Sequence, residues 1–243
     1  MTTVMRSSAS RQKVYLKNPK KHTPSSQRWL TRQLNDPYVS AAKEQGYRSR
    51  AAFKLKEIDD KFKIFHPHQR VLDLGCAPGG WLQVVSERTG LKKADSVLTI
   101  IGVDLLETLP IPGAHLIQGD FLNDEILQHT LEILGGKADV VLTDMAACTT
   151  GHVRTDHLKI MALLEAALNC AEQVLRPGGS FVGKIFQGGT ENSLLKRLKQ
   201  LFTKVSHFKP KSSRKDSAEM YVVATGFIEQ IGTDTLLDTS GEQ

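Results

Sequence analysis

Between residues 71 and 227 the chain repeats one alternation: a short apolar run, then a stretch with helical spacing. The sharpest instance is Val71-Leu72-Asp73-Leu74-Gly75, followed by helical spacing over 80–89. Short apolar runs without polar alternation fit strands buried on both faces, the habit of parallel sheets. Further strands are predicted at 97–103, 115–118, 138–143, 180–186, 205–209 and 219–227. Helices are predicted at 124–134, 158–175 and 191–202, and Arg176-Pro177-Gly178-Gly179 reads as a turn. This pattern leaves little room for any arrangement except layers of helix on a sheet.

The expected fold class is α/β: a Rossmann-like, doubly wound, mostly parallel seven-stranded sheet with helices on both faces. Only a turn-rich loop, 210–217, separates the last two runs, so they can pair antiparallel as an edge strand arrangement. Upstream, Ser26 is placed to cap a helix through Trp29, Leu30 and Leu34 that Pro37 ends. A second helix is predicted over 38–61, with Gly46 as a break point. Residues 1–24 are polar and read as a disordered tail, 25–230 as one folded domain, and 231–243 as a polar terminus.

Charge is unevenly placed. Residues 1–35 hold Arg6, Arg11, Lys13, Lys17, Lys20, Lys21, Arg28 and Arg32 and no acid. The remainder carries 24 Lys+Arg against 26 Asp+Glu, so the net charge of +6 lies wholly in that segment. Such a segment attracts a polyanion through counterion release. It is equally the composition of a solvating tail, a membrane-surface contact or an organellar presequence. No apolar run nears the ~20 residues that span a bilayer, and no secretory signal is read, so a soluble, non-secreted protein without membrane partners is expected. Cys76, Cys148 and Cys170 lack metal-ligand spacing, so neither a disulfide framework nor a metal site is expected, and a reducing compartment follows.

Successive strand tips carry the chemistry. After the first come Gly75-Cys76-Ala77-Pro78-Gly79-Gly80-Trp81, where glycines let a ligand approach the backbone at the carboxyl edge of the sheet. The spacing is not that of a dinucleotide fingerprint. The second strand ends in Asp104, a carboxylate suited to ribose hydroxyls, and the third in Asp120-Phe121, an acid and a ring suited to adenine. Each acid alone is also a turn residue or a cap; three such tips in succession point to an adenosine-type ligand. The fourth strand ends at Asp144. Lys184 stands inside the fifth, where a lysine is costly unless it faces a polar site. Glu219 opens the last. Lys184 as a snorkelling side chain and Glu219 as a surface residue are the alternatives.

The three nucleoside-facing tips resemble the class I S-adenosylmethionine methyltransferases, and the resemblance supplies the methyl donor. Members that methylate base amines carry an Asn/Asp-Pro-Pro-aromatic run where this chain reads Asp144-Met145-Ala146-Ala147. A pyrimidine-carbon methyltransferase needs a cysteine nucleophile, and Cys148 has no evident activating base beside it. The segments Ser49–Leu55, Asp73–Trp81, Gln118–Phe121, Asp144–Ala146, Thr149–His152, Arg154–His157, Lys184–Gly188 and Ser217–Tyr221 resemble the FtsJ/RrmJ family of ribosomal RNA methyltransferases. The likeness spans about 26–227 and departs at Ala147-Cys148, where many members have Pro-Asn.

The resemblance implies methylation of a uridine 2′-hydroxyl in large-subunit ribosomal RNA. It places a catalytic tetrad on Lys54, Asp144, Lys184 and Glu219. It makes 25–230 an S-adenosylmethionine-dependent methyltransferase domain, with Gly75, Pro78, Gly79, Gly80, Trp81, Asp104, Asp120, Phe121 and Asp144 as cofactor-binding residues. A ribose hydroxyl must lose its proton as its oxygen attacks, and a neutral lysine can take it. Burial and a second cation favour the neutral amine, whereas carboxylates oppose it. Lys184 is thus either that base or a group that steers the hydroxyl. Lys54 orients, and Asp144 and Glu219 position the lysines.

Tyr47-Arg48-Ser49-Arg50, His152, Arg154, Lys209, Lys211, Arg214 and Lys215 are expected to form a basic RNA-facing surface. Trp29 and Trp81 can each stack on a base or serve packing. Methylation of transfer RNA or an mRNA cap, and a non-catalytic ribosome-assembly factor, are the rival functions. A monomer is expected, with the bacterial cytoplasm favoured over a mitochondrial matrix.

Overall fold

The computed structural model describes residues 14–90, 99–146, 150–186 and 192–229. Its strands are β1 (Val71–Leu74), β2 (Ile100–Asp104), β3 (Ala114–Gln118), β4 (Ala138–Thr143), β5 (Leu175–Phe186), β6 (Phe202–Phe208) and β7 (Glu219–Phe227). They form one sheet in the order β3-β2-β1-β4-β5-β7-β6. Pairing is parallel from β3 to β5, and β7 runs antiparallel to both neighbours. The last two strands therefore make the antiparallel edge, with β7 one place in and β6 at the rim. The chain order reverses at β1, so a crevice opens between the carboxyl ends of β1 and β4.

The helices are α1 (Pro24–Leu34), α2 (Pro37–Glu44), α3 (Ala51–Phe62), α4 (Gly80–Thr89), α5 (Asp124–Leu134), α6 (Val153–Val174) and α7 (Asn192–Leu201). Successive strand residues point to opposite faces, and this sorts two cores. Leu72, Leu74, Ile101, Val103, Phe181 and Ile185 meet α5, α6 and α7. Val71, Ile100, Val140, Leu142, Val182 and Val223 meet α2, α3 and α4. Burying each such aliphatic side chain contributes about 1.5–3 kcal/mol, and helices cover both faces.

Several boundaries move for local reasons. Thr23, not Ser26, caps α1, its hydroxyl accepting from Ser26 N, because Pro24 lacks an N–H and fits the first helical position. Gly46, at φ 77°, splits the helix predicted over 38–61. α6 starts five residues before the predicted 158, after Gly151 at φ 86°. β5 starts at Leu175 because the predicted turn is a bulge: Leu175 pairs with Ala138 and Ser180 with Val140, leaving 176–179 opposite Asp139. β6 takes over from Phe202, where the helical pattern was expected to continue.

Residues 14–23 are not a free tail. The Asn35 side chain accepts from Val14 N at 2.8 Å and donates to Val14 O at 2.9 Å. The Gln27 amide donates to Pro19 O and His22 O at 2.8 and 2.9 Å. Two side-chain amides thus add to the segment's own backbone bonds, from Lys21 N to Asn18 O and from His22 N to Pro19 O. Residues 1–13 and 231–243 of the expected tails, the 97–98 start of the second strand, and Ala147, Cys148 and Thr149 lie outside the described residues.

Candidate active site

The alternation that sorts the cores also decides which charges meet. Asp73 follows Val71 at two-residue spacing, Asp144 follows Leu142, and Lys184 follows Val182. On β7, running the other way, Glu219 and Tyr221 precede Val223. Residues two apart share a face, so all five stand on the α3 side at one edge of the sheet. Pairing sets them side by side: Thr143 lies opposite Gly183, and Lys184 opposite Tyr221. Lys54 reaches the group from α3.

The contacts interlock. Lys54 Nζ lies 2.7 Å from Glu219 Oε1 and 3.7 Å from Asp144 Oδ2. Lys184 Nζ lies 2.8 Å from Asp144 Oδ1 and donates to the carbonyls of Asp144 and Met145 at 2.6 and 3.5 Å. Tyr221 donates its hydroxyl to Asp144 Oδ1 at 2.7 Å. Burial alone would push the Asp144 carboxyl up; the ammonium groups of Lys184 and Lys54 and the bonds from Lys184 and Tyr221 outweigh it, so the carboxyl lies below its usual range. Burial, then the carboxylates of Asp144 and Glu219, hold the Tyr221 phenol well above its usual value.

A cavity of about 150 Å³ opens beside these groups, walled by Ser49, Gly75, Pro78, Gly80 and Trp81, with Asp73 and Asp144 in its lining. Asp73 is 1% exposed, and its Oδ2 has no hydrogen-bond partner among the described residues. Burial, then the charges of Asp144 and Asp104, raise its carboxyl well above the usual value. An acid kept in an apolar strand without a partner suits a cation held in the cavity. Cys76 also lines it, but burial first and Asp73 second push that thiol to about 12, far from a reactive thiolate.

Glycines shape the wall. A Cβ on Gly75, at φ 76°, would sit 2.1 Å from Met145 Cγ, and one on Gly80 would sit 2.3 Å from Ser49 Oγ. Gly79 is the residue before α4, at φ 104°. Asp104 pins this loop to β2: its carboxylate accepts from Ala77 N and from Leu106 N, both at 2.8 Å. Asp120 is exposed and accepts from Leu122 N at 3.0 Å, while Phe121 is half-buried against the α5-side core. Gly79, Asp104, Asp120 and Phe121 are outside the cavity lining; Gly75, Pro78, Gly80, Trp81 and Asp144 are in it. Among the described residues no cluster of His, Cys, Asp or Glu could hold a metal ion.

The expected basic surface is partly consumed inside the fold. Arg48 donates to the carbonyls of Pro78, Leu109 and Pro110. Arg50 binds Asp36 and the carbonyl of Ser212, and Tyr47 donates to Glu87 at 2.6 Å. These side chains fasten loops. The sequence reading also passed over Tyr221 and Asp73, both legible as period-two companions of site residues. It passed over Ser213, whose hydroxyl donates to Glu219 Oε1 at 3.0 Å, and Glu57, which accepts from Lys211 N and Ser212 N. No sequence signal announces those two, because a loop fold brings them in.

The model of the FtsJ-like methyltransferases matches residues 47–227 of this chain. Ribosomal RNA large subunit methyltransferase E of Granulibacter bethesdensis is 56% identical over 214 residues, covering 88% of this chain and 90% of its own. The chain belongs to the FtsJ-like methyltransferase family. The same-named protein of Acidiphilium cryptum is 55% identical over 227 residues, covering 93% of this chain and 98% of its own. A Plasmodium falciparum chain described as a ribosomal RNA methyltransferase superposes with a TM-score of 0.67 at 35% identity, covering 76% of this chain and 100% of that one. With the FtsJ-like family comes the seven-stranded sheet seen here. Among the described residues no helix is long and apolar enough to cross a membrane.

Proposed function

We propose that this chain transfers a methyl group from S-adenosylmethionine to the 2′-hydroxyl of a uridine in large-subunit ribosomal RNA. The observation that carries the reading is the pair of interlocked ion pairs, Lys54–Glu219 and Lys184–Asp144, set beside a cavity lined by the unpartnered Asp73. That cavity fits the donor's cationic end: Asp73 Oδ2 has no hydrogen-bond partner among the described residues, and Asp144 is already paired with lysine. When bound, S-adenosylmethionine supplies an electrophilic methyl group on a sulfonium.

The remaining work falls to the chain's own residues. Gly75, Pro78, Gly79, Gly80 and Trp81 form the wall on which the donor would rest, the glycines letting it come close to the backbone. Asp104 would offer ribose hydroxyls the lone pairs that its two backbone bonds leave, and Asp120 and Phe121 would hold the adenine. Lys184 has three N–H bonds and three acceptors here; the incoming RNA hydroxyl displaces the longest, Met145 O at 3.5 Å. In the neutral amine form Nζ can take the hydroxyl proton as the ribose oxygen attacks. Glu219, steadied by Ser213, keeps Lys54 in place, and Tyr221 keeps Asp144 in place. The reading carries with it a monomer in the cytoplasm that meets its RNA in the large ribosomal subunit.

Incubation with methyl-labelled donor and large subunits, free ribosomal RNA or transfer RNA tests this. Label on a uridine 2′-oxygen of the large-subunit RNA is expected, and its loss in Lys184→Ala. Label confined to transfer RNA or to a base would overturn the assignment. A turnover rate that rises with pH through the ionisation of one group marks Lys184 as base; a flat profile marks it as a fixed donor.

A further inference from the structure

Trp29 is 56% exposed, whereas Trp81 is 3% exposed and donates its indole N–H to Ala51 O at 2.9 Å. The two tryptophans therefore serve different ends, and packing accounts for one only. α1 buries no residue at all. Its outward face is Ser25, Arg28, Trp29 and Arg32, spaced as i, i+3, i+4 and i+7, so one ring shares that face with two guanidinium groups. Residues 14–35 add Lys17, Lys20 and Lys21 and contain no acid. Among the described residues no ion pair or hydrogen bond engages the Arg28 side chain.

This surface is fastened to the proposed catalytic centre. Asp36, which caps α2 just beyond α1, binds Arg214 at 3.1 Å, and Arg32 lies 3.7 Å from Asp216. Both partners flank the loop whose Ser213 holds Glu219. A protein-docking helix presents several apolar anchors on one face, and a membrane-lying helix presents a broad apolar face. α1 offers neither: its other exposed apolar side chain, Leu34, 43% exposed, lies five residues on, about 140° around the axis. A lone ring beside Arg28, and beside an Arg32 whose one acid stands 3.7 Å away, fits a base stacked on indole with phosphates close by.

We propose that α1 is a docking surface for single-stranded RNA, with a base stacked on Trp29 and backbone phosphates held by Arg28 and Arg32. The assignment deepens the reading of the site as an RNA methyltransferase and rests on it for the substrate class. The bound strand flanks the target nucleotide, and α1 acts in recruitment and not in chemistry.

The test uses the full chain and a fluorescein-labelled oligouridylate of about 12 nucleotides, within the site sizes of stacking surfaces. Trp29→Ala should raise Kd about tenfold or more, the worth of one stacked base, with an unchanged salt slope. Trp29→Phe should restore most of the affinity, and Arg28→Gln should lower the salt slope by about one. RNA should quench tryptophan emission in the wild type and not in Trp29→Phe. With ribosomal RNA as substrate, Trp29→Ala should raise KM and leave kcat alone. Wild-type RNA affinity in Trp29→Ala overturns the proposal, as does a loss of binding seen on phosphatidylserine vesicles but not on RNA. Binding is read without donor, so a chain that failed to methylate would sink the enzyme reading and leave this comparison intact.

Discussion

Lys54 and Lys184 are each 7% exposed, and each is held by a carboxylate within 2.8 Å. Lys17, Lys20, Lys21, Arg28 and Arg32 stand on a segment that contains no acid. The sheet edge carries nearly balanced charge and fixes it in place; the N-terminal segment carries surplus charge, of which Arg32 meets an acid, Asp216, at 3.7 Å. A buried ion adds little stability and demands a partner, so the first pattern is a device for geometry. Surplus surface cations fix little geometry but act at a distance through a salt-dependent field, so the second is a device for recruitment. Changes at the edge should therefore alter turnover and stability, and changes in the segment should alter affinity and its response to salt.

The largest break in that division comes from Lys184→Ala, expected to lower kcat by about 10²–10⁴-fold, the usual worth of proton-transfer catalysis. Calorimetry should show the oligouridylate bound as by wild type. Lys184→Arg should not rescue turnover, since a guanidinium is always charged.

Asp73→Asn comes next and should act in two directions. Donor affinity should fall about tenfold or more, the worth of a lost charged hydrogen bond. Without donor the variant should melt higher at neutral pH. The unfolded carboxyl ionises near 3.8 while the folded one holds its proton to much higher pH. This group's stabilisation is therefore complete below 3.8 and declines as pH rises through the folded value. Thermal melts should show the variant's advantage growing from about pH 4 toward neutrality. Asp144 has the opposite sign: its contribution is present above 3.8 and is lost as acid takes the pH down through its depressed folded value.

Gly80→Ala should destabilise by about 1–3 kcal/mol, because the added carbon meets Ser49 Oγ at 2.3 Å. That lowers Tm by about 2–4 °C per kcal/mol, and the salt dependence of RNA binding should stay unchanged. The smallest effect is expected from Arg32→Gln: a salt slope lower by about one, read from Kd against ionic strength, at unaltered kcat.

Much of this division was legible in the sequence, for a physical reason. Strand periodicity is strictly two, so an acid or a lysine in an apolar run declares its face, and Asp144, Lys184 and Glu219 fall on one edge once strand order is set. Glycine at 75, 79 and 80 likewise announces close backbone approach. Side chains that act through loops were opaque. Arg48 and Arg50 read as free cations because nothing in a sequence tells which carbonyls will stand opposite them. Ser213 went unremarked within the loop 210–217 because Glu57, more than 150 positions away, holds the amide beside it. Helix ends moved by several residues where proline or glycine outweighed apolar spacing, as at Pro24 and Gly46.

Lys54 and Glu57 lie one turn apart on α3; the first grips Glu219, which opens β7, and the second grips the amides of Lys211 and Ser212 in the loop before it. Helix α3 is thus tied at both points to one edge of the sheet. Asp144 follows β4, Lys184 lies on β5, and β5 pairs with β7 so that Phe186 stands opposite Glu219. The Lys54–Asp144 contact at 3.7 Å links the two ion pairs. A substitution in the loop would therefore reach both ion pairs through α3, with the sheet holding their spacing.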